Sequence, residues 1–292
     1  MIYNDKKLKY KEGDIVFLVI AFSLFGLCAS LWITFANNIL NHWYWFWVPI
    51  VLFVLFFGVG LFLYLFVLYL VTFKVNIDDY VEKPKSWAVW FDQQTAQFID
   101  IISGIRVHIT GLEKIPTNTR FLFVTNHRSN LDPIIVMDTM SSYNIAFISK
   151  ISNMKIPVIG KLIHLWCFMS IDRDNARNAI KTIQRASDYI KNDIVSIGIY
   201  PEGTRSKSKQ MGEFHAGSFK IAQKANCPLV IGAVRGTEVV KYQFWNITHC
   251  YIDILEVMEP AEVKSMKSVE LADKTKAIIA DFIRSKGEDP GC

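Results

Sequence analysis

The sequence predicts an α/β protein in which a two-helix membrane hairpin precedes a domain with a mainly parallel central sheet. Residues 15–73 contain no Lys, Arg, Asp or Glu, although the chain of 292 residues is 20% charged overall. From residue 106 onward, short apolar stretches alternate with amphipathic ones, which is typical of parallel strands connected by helices. The 219 residues that follow the uncharged block are enough for one globular domain.

The uncharged block is long enough for two membrane spans. Residues 15–36 form a run of 22, and about 20 apolar residues cross a hydrocarbon core of about 30 Å. The 31 residues of the second run, 43–73, exceed one straight span, and the tryptophans at its start are typical of the headgroup region. Four lysines precede the first run and Lys74, Lys83 and Lys85 follow the second, so the positive-inside rule places both termini in the cytoplasm. A signal peptide and a buried core hairpin are the alternatives.

The composition of the chain after the uncharged block limits the kinds of partner that the protein is expected to bind. After the uncharged block the chain carries 28 Lys and Arg against 24 Asp and Glu, a net charge of +4. This small excess suits an anionic lipid surface and does not resemble a nucleic-acid-binding protein. The five cysteines show neither CxxC nor Cys/His metal spacing. We therefore expect reduced thiols in a domain that faces the cytosol, and no metal site.

These patterns divide the chain into five segments. We expect a cytoplasmic N-terminus at 1–14, the hairpin at 15–73, a linker with an amphipathic helix at 74–104, the α/β domain at 105–285 and a flexible tail at 286–292. In the helix over 87–102, the large apolar residues lie largely on one side. That side is expected either to lie at the membrane surface or to pack against the domain.

Seven short apolar stretches of the domain are candidate strands. They cover residues 106–109, 120–125, 145–148, 167–171, 194–199, 229–234 and 251–256. Residues 176–191 have apolar side chains at steps of three and four, which predicts an amphipathic helix. Residues 218–225 and 269–284 are also predicted to be helical.

The stretch FLFVTNHRSNLDP, residues 121–133, contains a candidate general base. It favours a buried strand, a loop and then a helix that starts at Pro133. Residues five apart on one helix lie about 140° from each other, whereas a strand-to-helix turn can bring His127 and Asp132 together. A carboxylate at one ring nitrogen fixes the tautomer and leaves the other nitrogen to act as a base. A surface histidine beside a helix-capping aspartate is the structural alternative.

A second polar group follows the predicted strand over 194–199. Gly203 frees the backbone, Thr204 offers a hydroxyl and Arg205 offers a planar fork of donors. This set suits a phosphate monoester, and Glu202 is expected to fix the arginine or to bind a substrate hydroxyl. An exposed turn with a salt bridge is the alternative. Arg173 follows the predicted strand over 167–171 in the same way.

Three predicted strands thus end in loops that contain candidate catalytic or binding residues. Ligands of open α/β sheets bind where strands end, so we expect these loops to converge on one crevice. A base, an anion clamp and groups that position a hydroxyl together indicate transfer of an acyl group to the hydroxyl of a phosphorylated acceptor.

In these motifs the sequence resembles the 1-acyl-glycerol-3-phosphate acyltransferases of the glycerolipid acyltransferase superfamily. The resemblance covers most of residues 105–240. The matching blocks are NHRSNLD at 126–132, FISK at 147–150, IPVIG at 156–160 with IDR at 171–173, YPEGTR at 200–205, and Pro228. The sequence departs from the family where a second proline often follows Pro228, because Ile231 and Gly232 stand there. This departure concerns the wall of the acyl-chain pocket rather than the catalytic residues.

The resemblance implies a role for each matching residue. His127 corresponds to the general base that deprotonates the acceptor's 2-hydroxyl, and Asp132 corresponds to its orienting partner. The implied clamp for the phosphate of lysophosphatidic acid consists of Arg173, Gly203 and Arg205, with Glu202 and Thr204 shaping the acceptor site. Lys150 matches a frequent family lysine of unassigned role.

The resemblance also implies the reaction. The acyl donor is expected to be acyl-CoA or acyl-carrier protein, no cofactor is expected, and the product is phosphatidic acid at the cytoplasmic face of a lipid bilayer. The nearest alternative is an acyltransferase for another lysophospholipid or lyso-lipid. A lipid hydrolase and a non-enzymatic membrane scaffold are further alternatives, although the chain lacks the Gly-x-Ser-x-Gly motif of serine hydrolases.

Overall fold

The computed structural model describes residues 17–37, 47–171, 175–205, 210–240, 246–288 and 290. The chain divides into two compact units, residues 1–75 and 76–292. The first unit contains helices α1 (Phe17–Ala36) and α2 (Val48–Thr72). The second contains an α/β domain.

The two N-terminal helices pack against each other through small residues and aromatic rings. Gly26 lies against Phe53, and Gly60 lies against Phe22, so close that an added Cβ would come within 2.9 Å of the ring. The outer surfaces stay apolar: Phe62, for example, is 66% exposed. Among the described helices, α2 alone is long and apolar enough to cross a membrane, and the apolar stretch Ile20–Ala36 of α1 is shorter. That both helices cross a bilayer remains a prediction.

The domain contains seven strands and nine helices within the described residues. The strands are β1 (Ile105–Thr110), β2 (Leu122–Val124), β3 (Ile145–Lys150), β4 (Met169–Ile171), β5 (Ser196–Ile199), β6 (Leu229–Arg235) and β7 (Thr248–Met258). The helices are α3 (Ser86–Ile102), α4 (Asp132–Thr139), α5 (Ile151–Met154), α6 (Ile159–Leu165), α7 (Ala176–Lys191), α8 (Lys220–Ala225), α9 (Thr237–Val240), α10 (Pro260–Ser265) and α11 (Ser268–Ser285). Short 3-10 turns occur at Leu112–Lys114, Ser141–Tyr143 and Ala216–Phe219.

All seven strands form one sheet in the order β1-β7-β6-β2-β5-β3-β4. Five of the six neighbouring pairs are parallel, and only β6 and β7 pair antiparallel. The predicted α/β class with a mainly parallel sheet is therefore confirmed. The central strands β2, β5 and β6 are buried along their whole length, because layers on both faces cover a parallel sheet. The edge strand β1 instead alternates between half-buried and exposed residues.

The predicted elements agree with the structure to within a few residues, and the predicted helix over 176–191 has the observed bounds of α7. The side chain of Asn175 caps that helix by accepting hydrogen bonds from the N–H groups of Arg177 and Asn178. The longest strand, β7, extends beyond the predicted residues 251–256 at both ends.

Helix α3 packs against α4 and α6, and its bulky apolar residues are not the ones buried in that contact. Its buried residues include Ala88, Ala96, Asp92 and Asp100, whereas Trp90 is 39% exposed. The small side chains on the buried side allow the neighbouring helices to approach closely. The helix therefore buries its small and acidic residues and leaves bulky apolar ones outside.

Candidate active site

Strands β2, β5 and β6 are parallel neighbours at the centre of the sheet. Their carboxyl ends therefore lie at the same edge, which is where ligands bind in open α/β sheets. His127 follows β2, Glu202 follows β5 and Thr237 follows β6. The fold thus brings residues from three distant parts of the sequence to one place.

Asn126 anchors the loop that follows β2. Its side-chain amide donates to the carbonyl of Val234 at 2.9 Å, and its Oδ1 accepts from the N–H of Val234 at 2.8 Å. The residue is fully buried. This double hydrogen bond fastens the start of the loop to β6, so that His127 leaves the sheet in a fixed direction.

Asp132 organises the loop as the acceptor of four hydrogen bonds. Its Oδ2 lies 2.8 Å from His127 Nδ1 and accepts from the backbone N–H groups of Arg128 at 2.7 Å and Ser129 at 2.8 Å. Its Oδ1 accepts from the Thr237 hydroxyl at 2.5 Å. The carboxylate is completely buried.

These contacts define the tautomer of the neutral imidazole. Backbone N–H groups can only donate, so Oδ2 is an acceptor and His127 Nδ1 carries the proton that it receives. The lone pair then lies on Nε2. The side chain of His127 is 16% exposed, and none of the described residues forms a hydrogen bond with Nε2. This arrangement suits a general base.

Tyr200 fixes the plane of the imidazole. Its ring stacks on that of His127, with centroids 4.2 Å apart and planes at 20°, and also on that of Phe147, with centroids 5.3 Å apart. The hydroxyl is buried and has no hydrogen-bond partner among the described residues. Burial, reinforced by the charge of Asp132, raises the pKa of Tyr200 well above its usual value. The phenol therefore acts as a neutral aromatic support.

Glu202 holds the backbone of the loop from the other side. Its Oε1 accepts from the N–H of His127 at 2.7 Å, and its Oε2 accepts from the N–H of Gly212 at 2.8 Å. Burial raises the pKa of Glu202, while the hydrogen bonds from Gly212 and His127 oppose that shift. Both carboxylate oxygens thus accept backbone N–H groups, one of them that of His127, and no contact with Arg205 occurs within the described residues.

The other predicted site residues lie in the turn after β5, at the end of β3 or outside the described residues. Gly203 adopts a positive φ of 71° in the turn after β5, and Thr204 and Arg205, which follow it, are exposed. Lys150 ends β3 and is exposed. Arg173 lies outside the described residues.

Several contacts were not predicted from the sequence. Thr237 belongs to no recognised signal, whereas Arg128 lies inside the block at 126–132. The partners of both residues lie more than 100 residues away along the chain. Asn126 and Tyr200 stand inside the recognised blocks, but spacing alone assigns them no contact. Arg128 is buried and pairs with Glu238 at 2.9 Å.

Possible metal ligands and cysteine thiols also occur elsewhere in the described part of the chain. No group of three or more His, Cys, Asp and Glu residues could hold a metal ion there. Burial raises the pKa of Cys167 to about 11 and those of Cys227 and Cys250 to about 12. These thiols are therefore poor nucleophiles at neutral pH.

Part of the chain is similar to known acyltransferases. Residues 106–234 match the protein-family model described as Acyltransferase. The chain is 34% identical over 140 residues to the chloroplastic 1-acyl-sn-glycerol-3-phosphate acyltransferase BAT2 of Brassica napus, covering 48% of this chain and 40% of that protein. It is 25% identical over 195 residues to the 1-acyl-sn-glycerol-3-phosphate acyltransferase of Saccharomyces cerevisiae, covering 65% of this chain and 64% of that protein.

A solved structure shares the fold. The 1-acyl-sn-glycerophosphate acyltransferase PlsC of Thermotoga maritima superimposes with a TM-score of 0.53 at 22% identity, covering 77% of this chain and 95% of that one. The chain spans 38% to 64% of the lengths of the first curated relatives that it matches. The resemblance seen in the sequence is confirmed: residues 106–234 match the Acyltransferase model, and the curated relatives are named 1-acyl-sn-glycerol-3-phosphate acyltransferases.

Proposed function

We propose that this protein transfers an acyl group from an acyl thioester to the 2-hydroxyl of 1-acyl-glycerol-3-phosphate, giving phosphatidic acid. The observation that carries the proposal is the pair formed by His127 and Asp132. The carboxylate holds Nδ1 at 2.8 Å, and Nε2 remains for the proton of an incoming hydroxyl.

The chemistry needs few protein groups because a thioester is already activated. Nε2 of His127 accepts the proton as the hydroxyl oxygen attacks the thioester carbonyl carbon. The C–S bond then breaks, and the thiolate of CoA or acyl-carrier protein receives the proton from the imidazolium. Positioning of hydroxyl and base contributes much of the acceleration in such a mechanism.

We assign the acceptor's phosphate to the turn after β5. Gly203 and Arg205 follow Glu202, whose carboxylate binds the backbone N–H of His127, so the turn is tied directly to the loop that carries the base. Arg205 is exposed, and its planar guanidinium can bind two phosphate oxygens at once. Arg173 and Thr204 complete the proposed acceptor site.

We further propose that α1 and α2 anchor the protein in a bilayer with the α/β domain on the cytoplasmic face. Support comes from their apolar outer surfaces, from the length of α2 and from the lysines that flank the uncharged block. Lysophosphatidic acid and phosphatidic acid both reside in membranes, so anchoring keeps the enzyme beside its substrate.

The test is an activity screen of the purified full-length protein. Acyl-CoA and acyl-carrier protein are offered with several lysolipids, and both the released thiol and the acylated lipid are measured. We expect phosphatidic acid from the wild type and none from His127→Ala. His108→Ala, at the edge strand β1, serves as the matched control and should retain activity. Full activity of His127→Ala would reject the base, and transfer only to other lysolipids would reject the acceptor.

A second variant tests the phosphate site. Arg205→Ala should raise the KM for lysophosphatidic acid more than the KM for the acyl donor, because it removes a partner of the acceptor alone. Arg284→Ala, an exposed arginine on α11, is the control for loss of surface charge. A change confined to the donor's KM would show that Arg205 does not bind the acceptor.

A further inference from the structure

The chain that follows α11 contacts residues beside His127. Gly287, with a φ of 79°, ends the helix: its N–H donates to the carbonyl of Arg284 at 2.9 Å, and the N–H of Glu288 donates to that of Ile283 at 3.3 Å. This is the hydrogen-bond pattern of a glycine helix stop. It turns the chain sharply and directs Glu288 back over the domain. We call Gly287, Glu288 and Pro290 the C-terminal strap.

The first contact of the C-terminal strap is an ion pair beside the base. Glu288 Oε2 lies 2.6 Å from Nη1 of Arg128, whose side chain is 2% exposed. Arg128 follows His127 directly and donates its backbone N–H to Asp132. The same guanidinium nitrogen also pairs with Glu238 at 2.9 Å. The strap therefore binds Arg128, which is the next residue after His127 and is hydrogen-bonded to Asp132 through its backbone N–H.

The second contact reaches the opposite side of the site. The carbonyl of Pro290 accepts a hydrogen bond from the N–H of Met211 at 2.7 Å. The next residue, Gly212, donates its N–H to Glu202, and Glu202 accepts from the N–H of His127. Glu288 Oε1 also lies 3.5 Å from Nη1 of Arg235 on β6. The contact at Arg128 thus lies next to His127, and the contact at Met211 lies next to the residue that binds Glu202.

We infer that the C-terminal strap positions the catalytic loop, with Glu288 as its principal positioning residue. Arg128 and the segment at Met211 come from different parts of the chain, and the strap links both of them to the end of α11. It limits the movement of the loop without touching substrate. This inference rests on the proposed function for its kinetic readout, but the positioning itself is a property of the loop.

The test compares Glu288→Gln with the wild-type full-length protein. The substitution keeps the shape of the side chain and removes its charge, while Arg128 retains Glu238 as a partner. We expect kcat to fall roughly tenfold with both KM values within about twofold, since misplacing a catalytic group by about 1 Å can cost on the order of 100-fold in rate. Glu288→Asp restores the charge and should recover part of kcat. Asp281→Asn, an exposed carboxylate near the end of α11, should behave as the wild type.

Hydrogen exchange provides a readout that does not depend on turnover. In Glu288→Gln, the amides of Arg128 and Ser129 should exchange faster, while the amide of Ile197 in β5 should not change. A general loss of stability would accelerate all three. Gly287→Ala, which strains the positive φ without removing a charge, should reproduce the faster exchange of the loop.

The outcomes separate the two proposals. Wild-type kcat and unchanged loop exchange in Glu288→Gln overturn the role of the strap. Uniformly faster exchange also overturns it, because it would show a stabilising role alone. If the wild type transfers no acyl group to any lysolipid, the proposed function fails. Hydrogen exchange of the loop in Glu288→Gln and Gly287→Ala then shows by itself whether the strap positions the loop.

Discussion

The Thr237 hydroxyl is predicted to hold Asp132 in the orientation that the base requires. Thr237 begins α9 and donates to Asp132 Oδ1 at 2.5 Å, with both side chains fully buried. The other three hydrogen bonds of the carboxylate all reach Oδ2. Thr237→Val keeps the shape of the side chain and removes the one donor to Oδ1 among the described residues, so the carboxylate loses a constraint on that side.

The magnitude follows from the kind of hydrogen bond that is lost. A hydrogen bond to a charged group contributes about 1.5–3 kcal/mol, so we expect the free energy of unfolding to fall by about 2 kcal/mol. For a domain of this size, each kcal/mol lowers the melting temperature by about 2–4 °C, giving a shift of about 4–8 °C. If all of this energy also orients the base in the transition state, kcat falls about 30-fold, since 1.36 kcal/mol corresponds to a factor of ten.

The assay measures thiol release from acyl-CoA and thermal unfolding of the same full-length preparation. Thr275→Val is the matched control, because the Thr275 hydroxyl is also fully buried but has no hydrogen-bond partner among the described residues. Removing an unpaired buried hydroxyl is neutral or stabilising, so this variant should keep its melting temperature and its activity. A Thr237→Val protein with the wild-type melting temperature and kcat would refute the claim that this hydroxyl holds the carboxylate.

Three further predictions concern neighbouring groups. Glu202→Gln should lower kcat rather than raise the acceptor's KM, because an amide cannot accept both backbone hydrogen bonds and one of them holds His127; steady-state kinetics check this. Tyr200→Phe should keep full activity, since the ring stacks and the buried hydroxyl has no partner among the described residues. Burial, and then the charge of Asp138, raise the pKa of Asp100 to about 8. Folding therefore takes up a proton between about pH 4 and 8, and stability falls as pH rises through that window by up to about 1.4 kcal/mol per unit. Asp100→Asn should flatten that decline in thermal unfolding.

Each of these predictions has a distinct contrary result. A higher KM for the acceptor with unchanged kcat in Glu202→Gln would return that residue to the acceptor site. Loss of activity in Tyr200→Phe would show that the Tyr200 hydroxyl takes part in the reaction. An unaltered pH profile in Asp100→Asn would assign the decline to other groups, and Asp281→Asn controls for removal of an exposed carboxylate on α11.

Local patterns in the sequence determined much of this protein. The helix α7 was predicted with its observed bounds, because apolar residues recur at its period; the cap formed by Asn175 was seen only in the structure. The α/β class followed from the alternation of strands and helices. The contact between His127 and Asp132 was also within reach of the sequence, since the two residues are five positions apart and a strand-to-helix turn joins them.

The tertiary structure alone decided which other groups surround this pair. Asn126 and Val234 are 108 positions apart, Asp132 and Thr237 are 105 apart, and Arg128 and Glu288 are 160 apart. These contacts depend on the strand order that puts β2 between β5 and β6. The buried face of α3 and the antiparallel direction of β7 depend equally on neighbours that are remote along the chain. Hydrophobic period and motif spacing report only local geometry, and the packing of distant segments sets the rest.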